Sequence, residues 1–264
     1  MILSKLLPLA LLAAGTAAQA DVTVVTTTAG KASFIDVGGA TSNLIKGNRM
    51  RSDSLLGSRA SALVVDIDGR RFVTIDDAKR SATVTPLDAI REQLDKVGVG
   101  SIQATLTRTS QSKTIAGHAC TVHDINVSLP FSITGHPGDG MDMTLVLSGQ
   151  VCLSTDAPGL ADYQAFYRAS ADSGFIFGDP RTAKSPTGAA QAKAYAELTR
   201  KMAAAGMALD SHVTITATGS NPMAGMMAKL AASDISTTVT QITVGDLPAE
   251  KFDVPAGYKV KTQK

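Results

Sequence analysis

Few residues in this chain have both the type and the spacing for chemistry. The stretch 64-VVDIDGRRFVTIDDA-78 gathers Asp66, Asp68, Asp76 and Asp77 around an Asp-Gly step, which raises the question of a calcium loop. An EF-hand loop needs oxygen ligands at positions 1, 3 and 5, Gly at 6 and Glu at 12. Counted from Asp66, Gly69 falls at position 4, Arg70 takes position 5 and Asp77 position 12. A guanidinium in place of a ligand argues against the cation. The same residues predict a two-residue Asp68-Gly69 hairpin. Its register sets Val65 opposite Phe72, Val64 opposite Val73, and Asp66 opposite Arg71 as a cross-strand ion pair.

Other candidates are equally thin. His136, Met141 and Met143 in 136-HPGDGMDM-143 could ligate copper in an oxidising compartment. The competing reading continues Met141 and Met143 into the apolar face that holds Leu145 and Leu147. His118 and His123 lie near Cys120, but on one strand 118 and 120 share a face while 123 points away. Ser110-Gln-Ser-Lys113 matches a Ser-x-x-Lys motif without its Ser-Asp-Asn or Lys-Thr-Gly companions. No nucleophile elbow, zinc-protease helix, P-loop or dinucleotide fingerprint occurs. The sequence therefore predicts a non-enzyme with no catalytic residues, no metal and no cofactor.

Two cysteines, Cys120 and Cys152, fall in predicted strands. In an exported chain an even count favours a disulfide, and a redox or metal pair lacks the usual Cys-x-x-Cys spacing. Export is expected from residues 1–20, MILSKLLPLALLAAGTAAQA. Lys5, a short apolar run and Ala18-Gln19-Ala20 have the form of a cleaved signal peptide. The apolar run is too short to cross a bilayer, which takes roughly 20 residues. The chain is thus expected in the periplasm or outside the cell, without a membrane-spanning segment. With 25 Lys and Arg against 23 Asp and Glu, nothing electrostatic draws it to nucleic acid or to an anionic membrane.

Elements that could position a site follow from periodicity. Alternation marks strands at 22–27, 33–37, 61–67, 71–75, 102–108, 124–134, 141–153, 212–219 and 236–244. The last changes phase between Val239 and Ile242, which predicts a bulge. One apolar face per strand points to an antiparallel sheet covered on one side. Helical spacing appears at 86–98, behind Thr85, Pro86 and Asp88 as start signals, at 158–172, at 188–206 and briefly at 221–230. The third carries Tyr195, Leu198 and Met202 along one stripe, and the fourth carries Met223, Met226 and Met227. Flexible thioethers suit irregular apolar partners, so these six residues form the candidate ligand-binding set, with core filling as the competing account.

Several blocks together resemble a family of exported bacterial domains of unknown function related to the LolA/LolB-like outer-membrane lipoprotein carriers. They are 46-KGNRMRSD-53 with 64-VVDIDGRRFVTID-76, 112-SKTIAGHACTVHDI-125, 149-GQVCLSTDAPGLADYQAFY-167 and 247-LPAEKFDVPAGYK-259. The resemblance implies one domain over 21–264, of α+β class and mainly antiparallel β. Its sheet would be strongly curved, an unclosed barrel, with helices on the concave apolar face. It also implies a hydrophobic ligand in that face, a lipid or a lipoprotein acyl chain. The alternatives are the copper protein above and a structural or interaction module with a filled interior.

Overall fold

Period-two alternation becomes one sheet of twelve strands. The computed structural model describes residues 21–32, 35–57, 59–89, 92, 101–133, 141–173, 186–219, 228–229 and 232–263. The strands are β1 (Val22–Ala32), β2 (Ile35–Lys46), β3 (Arg49–Leu56), β4 (Arg59–Asp66), β5 (Arg71–Asp76) and β6 (Ser81–Pro86). They continue with β7 (Gln103–Ile115), β8 (His118–Ile133), β9 (Met141–Ser154), β10 (Met207–Gly219), β11 (Ser233–Val244) and β12 (Lys259–Thr262). Their order is β12-β6-β5-β4-β3-β2-β1-β11-β10-β9-β8-β7, unclosed, and antiparallel throughout except for β12 on β6. Two longer helices interrupt the strands, α1 (Leu160–Asp172) and α2 (Pro186–Ala205).

The predicted Asp68-Gly69 hairpin forms in the expected register, Val65 on Phe72, Val64 on Val73 and Asp66 on Arg71. Asp66 uses both oxygens: Oδ1 accepts the Gly69 N–H at 2.8 Å and Oδ2 accepts from Arg71 Nε at 2.9 Å. The carboxylate is therefore spent on the turn and its ion pair. The bulge in β11 is also present, with Thr240 left over where the pairing steps from Val25–Gln241 to Thr26–Val239. Of the predicted 86–98 helix, 87–89 and Glu92 are described and helical. Thr85 and Pro86 end β6, and Asp88 pairs with the Arg70 guanidinium.

Curvature has local causes. Leu209 is a second extra residue, in β10, and 109–111 of β7 stand opposite Val122 alone. Each bulge bends its strand and raises local twist. Between the bulges lies a row of paired residues, Ile125–Gly149–Val213–Ile235–Gly30–Val37, which contains two glycines. A Cβ on Gly149 would lie 1.9 Å from the His212 carbonyl oxygen, and one on Gly30 2.0 Å from that of Asp234. Only glycine lets the backbones approach so closely, which is how a barrel corner is made. The bulged end of β7 also turns back. Lys113 Nζ meets Asp210 Oδ2 of β10 at 2.7 Å, although a flat sheet would hold strands three places apart roughly 14 Å from each other.

Alternation with a single buried face holds only in part. The helix-bearing face has the larger apolar clusters, but the opposite face is covered as well over β3–β6. There Val64, Val73, Ile75 and Ala82 pack with Phe252, which belongs to a C-terminal strap carrying the 3-10 turn Ala249–Phe252. Arg49 lies 5.1 Å from the Phe252 ring centroid, and Arg51 Nη1 donates to the Lys251 carbonyl at 3.0 Å. The strap begins where the Asp21 carboxylate accepts from Lys46 Nζ (2.6 Å) and from the Leu247 N–H (2.7 Å). It ends near Tyr258, whose hydroxyl donates to Asp77 at 2.8 Å. Cys120 and Cys152 are disulfide-bonded and buried, with Val122, on the face of β8–β9 that alternation sets opposite Ile125 and Val127.

Candidate binding face

The face that carries the helices is built from rows of cross-strand neighbours. One end is a sealed apolar floor: Val22, Ile45, Met50, Val65 and Phe72 are consecutive partners from β1 to β5, each at most 4% exposed. Phe166 of α1 is fully buried in the same cluster. Away from the floor the face divides into two walls of different chemistry.

The wall on β8, β9 and β10 stays apolar. Its rows are Val127–Leu147–Ile215, Leu129–Leu145–Ala217 and Phe131–Met143, all buried. Helix α2 stands over this wall, with Leu198 at 2% exposure and Tyr195 and Met202 half-buried against the same cluster. The two helices are fastened together: Gln164 Nε2 donates to the Ala203 carbonyl at 2.7 Å. Burial pushes the Tyr195 hydroxyl above its ordinary value, and pushes that of Tyr163 up to about 12. Tyr167, burial first and the neighbouring Tyr163 second, is also raised. Its ring centroid lies 4.3 Å from that of Tyr163. Desolvation without a charged partner is the mark of packing rather than of an acid or base prepared for catalysis.

The wall on β11, β1, β2 and β3 is rich in hydroxyls, with the buried Val239 beside Thr26 and with Ile235 and Val37 on either side of Gly30. Thr237 pairs with Thr28, and Thr26 with Thr41, which pairs in turn with Ser54. Asn43 and Ser52 form the row nearer the floor. All are half-buried, whereas Thr27, Ala29 and Ala40 on the other face are exposed. Some hydroxyls bond along the wall: Thr41 Oγ1 and Ser54 Oγ lie 3.0 Å apart, Thr28 and Thr237 Oγ1 3.4 Å. The boundary runs along β10. In a single row Val151 of β9 is buried, Ser211 of β10 is half-buried, and Thr237 and Thr28 continue as hydroxyls. The expectation of a uniformly apolar concave face is thus met on one wall only. Thr has the β-branched shape that favours strands, so the backbone is indifferent to whether Val or Thr occupies these positions.

Of the six candidate contact residues, Tyr195, Leu198 and Met202 share the side of α2 that packs on the β8–β10 cluster. Met223, Met226 and Met227 lie outside the described residues, as do His136 and the side chain of Met141. Met143 is packed at 2% exposure between Phe131 and the rest of the apolar wall. Among the described residues no group of three His, Cys, Asp or Glu could hold a metal ion. Ser110 is exposed in the β7 bulge and Lys113 is engaged by Asp210, so the Ser-x-x-Lys match assembles nothing. Among the described residues no helix is long and apolar enough to cross a membrane.

No protein-family model matches the chain, and no curated protein matches its sequence. Among solved structures it is similar to a LolA superfamily protein from Nitrosomonas europaea. That match covers 89% of this chain and 91% of the other at 10% identity, with a TM-score of 0.29. At that level no residue and no role is transferred.

Proposed function

We propose that the protein is a non-enzymatic periplasmic carrier that holds a hydrophobic ligand, a lipid or an acyl chain, between α2 and the curved sheet. The observation that carries this reading is the half-burial of Tyr195 and Met202 on the sheet-facing side of α2, over a wall that is apolar from Val127 to Phe131. A helix stripe of this kind can move from packing against the sheet to packing against a ligand at little cost, since both partners are apolar. Met223, Met226 and Met227 would extend the contact, and Leu198 would form its deepest point. The buried disulfide suits an oxidising compartment, in agreement with the expected leader.

Native mass spectrometry of protein recovered from the periplasm, followed by titration with a pyrene-labelled acyl probe, tests the reading. Retained lipid and saturable binding are expected; an empty protein with linear, non-saturable signal would sink it. One specific observation favours a second reading, an interaction module with a filled interior: Leu198 is only 2% exposed.

A further inference from the structure

The division of the helix-bearing face into two walls carries information about the ligand beyond its greasiness. Sequences make strands from Val and Ile as readily as from Thr, and a wall meant only for acyl chains gains nothing from hydroxyls that must be desolvated. Here Thr26, Thr28, Thr41, Ser54 and Thr237 are gathered on the sheltered face, while their neighbours Thr27 and Ala40 take the exposed one. No Lys, Arg, Asp or Glu is interleaved in the paired rows Asn43–Ser52, Thr26–Thr41–Ser54 and Thr237–Thr28. The nearby charges Lys31, Asp36 and Asp53 fall, by alternation, on the opposite face, and the row Thr237–Thr28–Gly39–Leu56 meets a charge only at Arg59 of β4, three strands from Thr28.

We propose that this hydroxyl wall receives the uncharged, hydroxyl-rich headgroup of an amphiphile whose acyl chain lies against the β8–β10 wall. The inference rests on the carrier reading above and narrows it. A hydroxyl both donates and accepts, so a wall of hydroxyls is complementary to a polyol, which does the same. A carboxylate or phosphate headgroup accepts only, and burying it without Lys, Arg or clustered N–H donors is costly. The wall offers sites about 4.8 Å apart across strands and about 6.8 Å apart along them, comparable with the hydroxyl separations across and between sugar rings. The boundary along β10 places both chemistries within reach of one small molecule, since Val151, Ser211, Thr237 and Thr28 share a row.

The test is displacement of the pyrene-labelled acyl probe by four compounds below their micelle concentrations: dodecyl maltoside, dodecanoate, dodecylphosphocholine and maltose. Dodecyl maltoside is expected to displace at least about tenfold more tightly than dodecanoate or dodecylphosphocholine, the gain of one or two net hydrogen bonds. Maltose alone should displace nothing. The variant Thr28→Val/Thr41→Val/Ser54→Ala keeps shape and strand preference, and should bring the maltoside to the level of dodecanoate while leaving dodecanoate unchanged. Thr27→Val/Ala40→Ser on the opposite face is the control and should alter neither. Equal displacement by all three dodecyl compounds, or a preference that survives the triple variant, overturns the headgroup assignment and leaves the carrier reading standing. Displacement by maltose as strong as by its dodecyl glycoside would make this a carbohydrate site and overturn the amphiphile. Failure of every dodecyl compound overturns both readings.

Discussion

The two walls share a sheet, a face and, in places, a row, yet they are maintained by different forces. On β8–β10 the inward side chains from Val127 to Phe131 and from Met143 to Leu147 are apolar and removed from water, and α2 covers them. On β11–β3, beyond the apolar floor, the inward side chains include small alcohols that remain half-buried. Strand geometry is therefore set by the backbone ladder and by bulges, whereas cover is set by side-chain chemistry. The comparison can be tested by perturbing each wall in turn.

The largest effect is expected from the disulfide. Cys120 and Cys152 are 32 residues apart, and in the loop-entropy account removing such a bridge costs about 3–4 kcal/mol. Urea unfolding with and without a reductant should show the loss as a lower midpoint; unchanged midpoints would mean that the β8–β9 end does not depend on its bridge. Leu198→Ala comes next, at about 3 kcal/mol, because a fully buried leucine leaves a cavity under α2. Its partner experiment, Thr41→Val, should change stability by less than about 0.5 kcal/mol. Similar costs at the two positions would abolish the distinction between walls.

A pH effect sharpens the comparison further. Burial on folding raises the pKa of Tyr163, to about 12, and that of Tyr167. The unfolded chain releases those protons first, near pH 10, so the stabilisation is complete below pH 10 and is lost as pH rises toward 12. The loss is on the order of 2 kcal/mol, and Tyr163→Phe should flatten the stability profile over that range. At low pH the opposite face of β10 has its own titration. Burial pushes Asp210 up, but hydrogen bonds from Lys113 and Thr238 outweigh it and hold the carboxyl below its ordinary value. Its contribution is present above the usual carboxylate range and disappears as pH falls through it. A modest effect of opposite sign belongs to Ser170, whose hydroxyl is buried in α1 without a hydrogen-bond partner among the described residues. Ser170→Ala should stabilise the fold by about 1 kcal/mol, since it removes a desolvated polar group. Loss of stability instead would reveal a partner for it.

Legibility in the sequence followed the same division. The hairpin register could be read because Asp-Gly admits few turns, and the β11 bulge because Val239 and Ile242 break the phase of an otherwise strict alternation. The bridge followed from there being two cysteines. Strand β3 was not foreseen, since 49-RMRSDSLL-56 offers only Met50 to the floor, is polar on both faces from Arg51 to Ser54, and ends in adjacent leucines that show no alternation. Strand β6, six residues ending in Pro86, was too short to declare a period. The strap over β3–β6 was also hidden. Its signal was present in retrospect as apolar residues on both faces of β4 and β5, where Val64 and Val65 are adjacent and both buried. The hydroxyl wall was missed for a deeper reason. Alternation reports that two faces differ, not which is sheltered, and along β1 the inward residues change from Val22 and Val24 to Thr26 and Thr28 without changing phase.

The position of β1 has a kinetic consequence. The first strand made lies between β2, a few residues downstream, and β11, where Thr23 meets Thr243. The hairpins from β1 to β6 can zip locally, but the centre of the sheet cannot close until the end of the chain has arrived. Loop closure over so many residues delays the reward of each contact, so the last step should be slow. A polypeptide arranged in this way remains unravelled long enough to be threaded through a pore before it becomes an obstacle to its own passage.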